Sequence, residues 1–101
     1  MFPEMVLAYV RELAKETIIV TGGARGVDTW AETAARQKGL AVELFIPEWD
    51  KLGRGAGMIR NQKIVDACDR LVAFWDGKSR GTKDSIEKAR RAGKQVDIYR
   101  E

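Results

Sequence analysis

The chain has 101 residues, of which 45% are apolar and 33% are charged. This length supports one modest hydrophobic core, and the composition is that of a soluble globular protein. No stretch approaches the roughly 20 apolar residues of a membrane span, and the first residues lack the features of a signal peptide. We therefore expect one cytoplasmic domain over residues 1–101, without a membrane partner.

Cysteine and histidine usage limits the chemistry further. Cys68 is the single cysteine and the chain has no histidine, which excludes an intramolecular disulfide and the usual zinc ligand sets. We predict that Cys68 fills the core and that the protein has neither a metal site nor a cofactor. The net charge of +3 lies entirely in residues 76–101, where eight basic residues face five acidic ones. This region suits an anionic partner such as nucleic acid, but we favour a solvated helix face.

The hydrophobic pattern alternates between helical and strand-like periods along the chain. Strands separated by helices of about a dozen residues indicate a parallel sheet that is covered on both faces. In such α/β sheets, ligands bind beyond the carboxyl ends of the strands. The predicted helices cover residues 3–15, 27–38, 56–68 and 82–92, and the predicted strands cover residues 17–21, 40–46, 70–75 and 95–99.

The first candidate loop follows the first strand and contains Gly22, Gly23 and Gly26. Its glycines allow a ligand to approach the main chain, and the following helix start favours an anion. Arg25 offers a planar donor fork for phosphate, and Asp28 is suited either to cap the helix or to accept a hydrogen bond from a ribose hydroxyl. The alternative is a plain strand-to-helix turn.

The second candidate loop runs from Pro47 into the helix at Ala56, and we expect it to be irregular. Trp49 is suited to stack on a base, or else to cover the core. Asn61 places a carboxamide on the apolar face of the following helix, where it needs a partner from the loop backbone or from a ligand. Arg60 can reach the same edge.

The third candidate loop is the sequence DGKSRGT, in which Gly77 and Gly81 bracket Lys78, Ser79 and Arg80. Thr82 is expected to cap the helix that begins there, which gives a second helix start suited to an anion. The alternative is that the basic side chains are simply solvated.

Three motifs in this order resemble the SLOG superfamily, in particular its small YspA/cpYpsA-related proteins: GGARGVD, then PEW with a following IRN, then FWDGKSRGT. Wider relatives include the LOG phosphoribohydrolases and the DNA-processing protein DprA. The resemblance implies a Rossmann-like, three-layer α/β/α fold with a mainly parallel sheet of four strands, and binding of a nucleotide or nucleotide-derived ligand. The ligand-facing residues that it implies are Gly22, Gly23, Arg25, Gly26, Asp28, Trp49, Arg60, Asn61, Gly77, Ser79, Arg80, Gly81 and Thr82.

The chain departs from the family pattern at its beginning. Members usually open with an additional strand that occupies the middle of the sheet, whereas this sequence starts at the helix after it. Three arrangements remain open: the strands from Thr17 and Arg70 pair directly, a partner chain fills the gap, or the sequence is a truncated version of a longer protein. Because unpaired central edges are costly, we favour direct pairing or a homodimer.

The chain also departs from the catalytic pattern of the phosphoribohydrolase relatives. Ser85 stands where those enzymes have a catalytic glutamate, and serine supplies no carboxylate. The remaining catalytic candidates are Arg60 and Asp84. We therefore expect a nucleotide binder that acts as a sensor or accessory module rather than an enzyme. The alternatives are N-glycosidic cleavage of a nucleoside monophosphate and, less favoured, binding of single-stranded nucleic acid.

Overall fold

The computed structural model describes residues 2–100, which form a mixed α/β protein with parallel strands. The chain divides into two compact units, Met1–Phe45 and Ile46–Glu101. Each unit contains two parallel strands joined by a helix, so the strand–helix–strand plan occurs twice. Among the described residues, no helix is long and apolar enough to cross a membrane.

The first unit places a helix on a two-stranded sheet. Strands β1 and β2 pair in parallel, with Ile18 opposite Ala41 and Thr21 opposite Leu44. Helix α2 lies on both strands, and helix α1 packs against α2. The elements are α1 (Phe2–Arg11), β1 (Ile18–Thr21), α2 (Val27–Lys38) and β2 (Ala41–Leu44).

Small side chains make the helix contact of the first unit possible. Val6 and Val10 are buried on α1, and Ala34 and Ala35 are buried on α2. The alanines allow close approach of the backbones, while the valines supply the apolar area that stabilises the contact. The helix then ends at Gly39, whose left-handed φ of 82° closes the last turn as the sequence predicts.

The second unit repeats the plan with a longer ladder. Strands β3 and β4 pair in parallel over five residue pairs, and the rings of Phe74 and Tyr99 stack with centroids 5.1 Å apart. Helix α5 lies on both strands, and α4 packs against α5. The elements are α3 (Trp49–Leu52), a 3₁₀ turn (Gly53–Gly55), α4 (Ala56–Ala67), β3 (Arg70–Phe74), α5 (Arg80–Arg91) and β4 (Gln95–Tyr99).

The core of the second unit lies between α4, α5 and the sheet. Val65, Ile86 and Ala89 are almost completely buried there. Cys68 is buried as predicted, its thiol donates to the carbonyl of Val65, and burial raises the pKa of that thiol. The single cysteine therefore fills the core rather than presenting a reactive thiolate.

Several element boundaries differ from the prediction, among them both ends of β2, which covers Ala41–Leu44 rather than residues 40–46. Helix α1 ends at Arg11 rather than at residue 15, because the backbone turns through hydrogen bonds such as that from Leu13 N to the carbonyl of Val10. The segment after Pro47, expected to be irregular, contains α3 and the 3₁₀ turn. Helix α5 begins at Arg80 with Ser79 as its N-cap, so the prediction of Thr82 as the cap is wrong.

The sheet organisation is confirmed in part. Four strands form at the predicted places and pair in parallel, but the ladders join β1 with β2 and β3 with β4 in two sheets of two strands each. A single Rossmann-like sheet of four strands is not confirmed. Direct pairing of the first strand with the third is likewise not among the ladders that the structure defines for residues 2–100.

Candidate functional site

The first loop holds a carboxylate of its own at the place where we expected an anionic ligand. Asp28 Oδ2 accepts hydrogen bonds from the backbone N–H groups of Gly22 and Ala24, each at 3.2 Å. Gly23 N donates to Thr21 Oγ1 at 3.4 Å. Three consecutive backbone donors of the glycine turn are therefore engaged by side chains of the protein.

Asp28 does not act as the N-cap of α2. The N-cap is Gly26, with φ of 87° and no side-chain hydrogen bond to the helix, and Asp28 lies in the first turn. A carboxylate at this place still interacts favourably with the positive end of the helix. Arg25, on the exposed tip of the loop, forms no ion pair with a described acidic residue in the structure.

In the second unit, four predicted site residues form one hydrogen-bonded group. Asn61 is 7% exposed, and its Nδ2 donates to Asp84 Oδ2 at 3.1 Å and to the carbonyl of Gly81 at 3.3 Å. Arg60 Nε donates to Asn61 Oδ1 at 3.0 Å. Asn61 therefore joins α4 to the start of α5, and the partners of its amide are protein groups.

Lys88 completes this group, and sequence reasoning did not single it out. Its Nζ lies 2.6 Å from Asp84 Oδ2 and 3.0 Å from the carbonyl of Met58. Burial by itself would raise the pKa of Asp84, but hydrogen bonds from Lys88 and Asn61 outweigh it, so the pKa lies below its usual value. Asp84 is thus an ionised acceptor near neutral pH rather than a proton donor. The spacing of four residues between Asp84 and Lys88 was the available signal.

Trp49 stands on α3 with 56% of its surface exposed, so it does not serve as a core cover. Its ring lies against α4, where a Cβ added at Gly57 would contact Trp49 at 3.4 Å. Because Gly57 has no side chain, one edge of the Trp49 indole packs against α4 at this position. The exposed part of the ring offers an apolar platform of the kind on which a base stacks.

The third loop is ordered by two side chains of its own. Asp76 accepts from the backbone N–H groups of Ser79 at 2.8 Å and Lys78 at 2.7 Å, and these bonds lower the pKa of Asp76. Ser79 Oγ accepts from the backbone N–H of Thr82 at 3.4 Å and from its hydroxyl at 3.2 Å. The N-cap of α5 is therefore occupied by a protein hydroxyl.

An arginine that sequence reasoning missed also lies at this loop. The guanidinium of Arg100 is 5.6 Å from the ring centroid of Trp75, within the range of a cation–π contact. A Cβ at Gly77 would lie 3.0 Å from Arg100 Cζ and closer still to one of its terminal nitrogens. The only available signal was that β4 ends beside β3, which brings Arg100 to the loop after Trp75.

The described residues contain no group of three or more acidic or cysteine side chains that could hold a metal ion. The candidate sites are instead loops with backbone donors, arginines and an exposed indole. They follow the carboxyl ends of parallel strands within strand–helix–strand units, an arrangement typical of α/β ligand-binding proteins.

Comparison with known proteins relates the chain to one family. The model of the YspA, cpYpsA-related SLOG family matches residues 4–52, a range that includes the first loop and Trp49. Over these residues the chain is similar to this family, and the match is consistent with the SLOG superfamily. It is also similar to the Gene 61 protein of Mycobacterium phage D29, with 40% identity over 82 residues. That alignment covers 75% of this chain and 66% of the phage protein, just under two thirds of its length. No solved structure matches the chain significantly.

Proposed function

We propose that the protein binds a nucleotide or nucleotide-derived ligand and acts as a sensor or accessory module. The observation that carries this proposal is the pair of loops at Gly22–Asp28 and Asp76–Thr82, each placed between a parallel strand and the helix that follows it. Each loop carries an exposed arginine, Arg25 or Arg80, that forms no ion pair with a described acidic residue. Similarity to the SLOG family supports the same ligand class.

The first loop fits the sugar part of such a ligand better than its phosphate. Asp28 already supplies a negative charge to the turn and engages the N–H groups of Gly22 and Ala24. A phosphate placed there would meet like charge, whereas a ribose hydroxyl can donate to a carboxylate oxygen. Arg25 at the tip remains suited to a more distant anionic group.

Trp49 supports recognition of the base. The Trp49 side chain is 56% exposed, so part of its indole is accessible to a base. Stacking of a base on an aromatic side chain contributes about 1–3 kcal/mol and is tolerant of base identity.

The test is a thermal-shift panel of nucleoside mono- and diphosphates with the wild-type protein and single variants. A ligand at 100 times its Kd should add about 2.7 kcal/mol to the free energy of unfolding. We expect Trp49→Ala and Arg25→Ala to reduce the shift caused by the best nucleotide. Arg80→Ala tests the third loop separately.

Arg36→Ala is the matched control, since Arg36 is an exposed arginine paired with Glu32 on α2 rather than a loop residue. It should leave the nucleotide shift unchanged. The proposal is wrong if no nucleotide stabilises the wild-type protein, or if the loop variants and the control respond alike.

A second candidate function is N-glycosidic cleavage of a nucleoside monophosphate. The observation in its favour is that Asn61 links Arg60 and Asp84, the two catalytic candidates, in one group. Against it, Asp84 is held by Lys88 and its lowered pKa removes it as a general acid. Release of free base by purified protein, lost in Arg60→Ala, would establish the activity; a complete absence of release would eliminate it.

The finer expectations of a Rossmann-like sheet within one domain, a homodimer and a cytoplasmic location stay predictions. Native mass spectrometry addresses the dimer and any retained nucleotide in a single spectrum. Binding of single-stranded nucleic acid is tested by a salt titration, because phosphate contacts make the affinity fall steeply with ionic strength.

A further inference from the structure

The start of α5 collects positive charge where a helix ordinarily favours negative charge. Its first turn contains no acidic residue and begins with Arg80. Lys78 lies two residues before it, and Arg100 reaches the same loop from the end of β4. Cations near a helix N-terminus are destabilising because they face the positive end of the helix dipole.

The acidic residue in this loop does not neutralise the three cations by ion pairing. Asp76 directs Oδ1 to the backbone N–H groups of Lys78 and Ser79, and no ion pair joins it to a described basic residue. In α2, by contrast, the first turn contains Asp28. The excess of positive charge at the third loop is therefore not removed by ion pairs with the described acidic residues.

The guanidinium of Arg100 lies against Trp75 and Gly77. Trp75 contacts the guanidinium at 5.6 Å from its ring centroid, and Trp75 is itself fixed by a hydrogen bond of 3.1 Å from Nε1 to the carbonyl of Ser79. Gly77, with φ of 83°, leaves the space that the guanidinium fills. A guanidinium held over an aromatic ring can still donate its N–H groups to an acceptor such as phosphate.

We propose that Arg100, seated by Trp75 and Gly77, binds the phosphate or pyrophosphate group of the ligand together with Arg80 at the start of α5. This inference rests on the proposed function for the identity of the ligand, but the anion site can be tested without a nucleoside. It assigns the anionic group of the ligand to the third loop.

The experiment titrates inorganic pyrophosphate, and separately AMP, into isotope-labelled protein and follows the amide of Gly77 and the indole N–H of Trp75 by NMR. Both signals should move in the wild-type protein. Arg100→Ala should weaken pyrophosphate and AMP by about tenfold or more, the scale expected for loss of a charge-assisted contact. Arg100→Lys should fall between the two, because it keeps the charge but lacks the planar face.

Arg90→Ala is the matched control, since it removes an exposed arginine from the last turn of the same helix. It should change the Kd for pyrophosphate much less than Arg100→Ala. Equal weakening by the two variants, or an unchanged Kd in Arg100→Ala, would overturn the assignment and leave only a general charge effect.

Gly77→Ala tests the seat of Arg100 without removing the charge. Its Cβ would displace the guanidinium while the charge remains, so its loss of pyrophosphate affinity should lie between those of wild type and Arg100→Ala, and the double variant should lose no more than Arg100→Ala. Additive losses would mean that Gly77 acts through the loop backbone and not through Arg100. The NMR spectrum of each variant also reports whether it remains folded.

The outcomes separate this inference from the proposed function. If pyrophosphate moves neither signal, the assignment of Arg100 is wrong, whether or not a nucleotide binds elsewhere. If pyrophosphate binds in an Arg100-dependent manner while no nucleotide binds more tightly than pyrophosphate, the anion site stands and the proposal of a nucleotide ligand fails.

Discussion

The two strand–helix–strand units follow the same plan but treat the start of the helix differently. After β1, Asp28 reaches back from the first turn of α2 to the N–H groups of Gly22 and Ala24, and the N-cap is a glycine without a side chain. After β3, Ser79 caps α5, and the first turn carries no acid. Both loops thus hold a carboxylate against two backbone N–H groups, Asp28 in the first and Asp76 in the second, but in the second unit three cations surround that carboxylate: Lys78, Arg80 and Arg100.

This difference shows that a glycine-rich turn before a helix is not sufficient to indicate a phosphate site. What matters is which groups already engage the backbone donors and what charge remains. The backbone donors are engaged in both loops, so it is the excess of basic side chains that leads us to propose the third loop as the anion site, although the first loop has the more conspicuous glycine sequence.

The largest effect that we expect is on stability, and it distinguishes an ion pair within α5 of the second unit from one within α2 of the first. Lys88→Ala would leave Asp84 without its ion pair, in a place where both side chains are only 14–15% exposed. Removing one partner of a largely buried pair should lower the free energy of unfolding by about 2–3 kcal/mol. Urea denaturation measures the change.

The first unit supplies the control for this prediction. Arg36 and Glu32 are also four residues apart, but their side chains are 59% and 28% exposed. Arg36→Ala should therefore cost about 0.3–0.5 kcal/mol, as is usual for exposed helix pairs. Similar losses in both variants would contradict our view that the Asn61–Asp84–Lys88 group holds α4 on α5.

The second prediction concerns the built-in anion of the first loop. Asp28→Ala removes the acceptor of two backbone N–H groups and should lower the free energy of unfolding by about 1–2 kcal/mol. Asp28→Asn keeps one acceptor oxygen and should cost less. In both variants the amides of Gly22 and Ala24 should be less protected and should exchange faster in hydrogen-exchange experiments. Unchanged exchange rates would contradict the role of Asp28.

These residues also show how far the sequence could predict the molecule. The helical and strand periods locate four strands and four of the helices, because burial on one face imposes a period that is visible locally. The start of α5 is missed by two residues because Ser79 and Thr82 are both suited to cap a helix, and only the backbone geometry shows that Ser79 does so. The end of α1 is missed by four residues because the chain turns after Arg11, where the hydrophobic pattern still suits a helix.

The site could be predicted where residues close in sequence determine it, but not where it depends on contacts between residues far apart in sequence. Sequence reasoning brought Asn61 to an apolar helix face, where the structure finds it buried, but its partners on α5 depend on how two helices pack. Arg100 is 23 residues from Gly77 in the numbering, and only the register of β4 on β3 brings them together. The separate ladders of β1–β2 and β3–β4 depend likewise on long-range pairing.

The third prediction tests the cap that distinguishes the second unit. Ser79→Ala removes the side-chain acceptor for the N–H of Thr82 and should cost about 1 kcal/mol. Ser79→Gly should cost only a few tenths of that, since a glycine N-cap leaves the helix end open to water. Thermal unfolding of the two variants measures the difference, and an equal loss would mean that the hydroxyl contributes through another contact.

The smallest effect is the pH dependence of the turn at Asp76. Hydrogen bonds from Ser79 N and Lys78 N hold the pKa of this carboxyl below its usual value, so the ionised form stabilises the folded state. That contribution is present above the unfolded pKa of about 3.9 and is lost as the pH falls through the lower, folded value. The Tm of wild type should therefore exceed that of Asp76→Asn at pH 6, and this difference should shrink towards zero as the pH falls through the folded-state pKa of Asp76. Ser79→Ala keeps the carboxylate and the N–H of residue 79, so its own Tm difference from wild type should stay nearly constant over the same pH range. A difference for Asp76→Asn that persists at low pH would assign the effect to the shape of the side chain rather than to its charge.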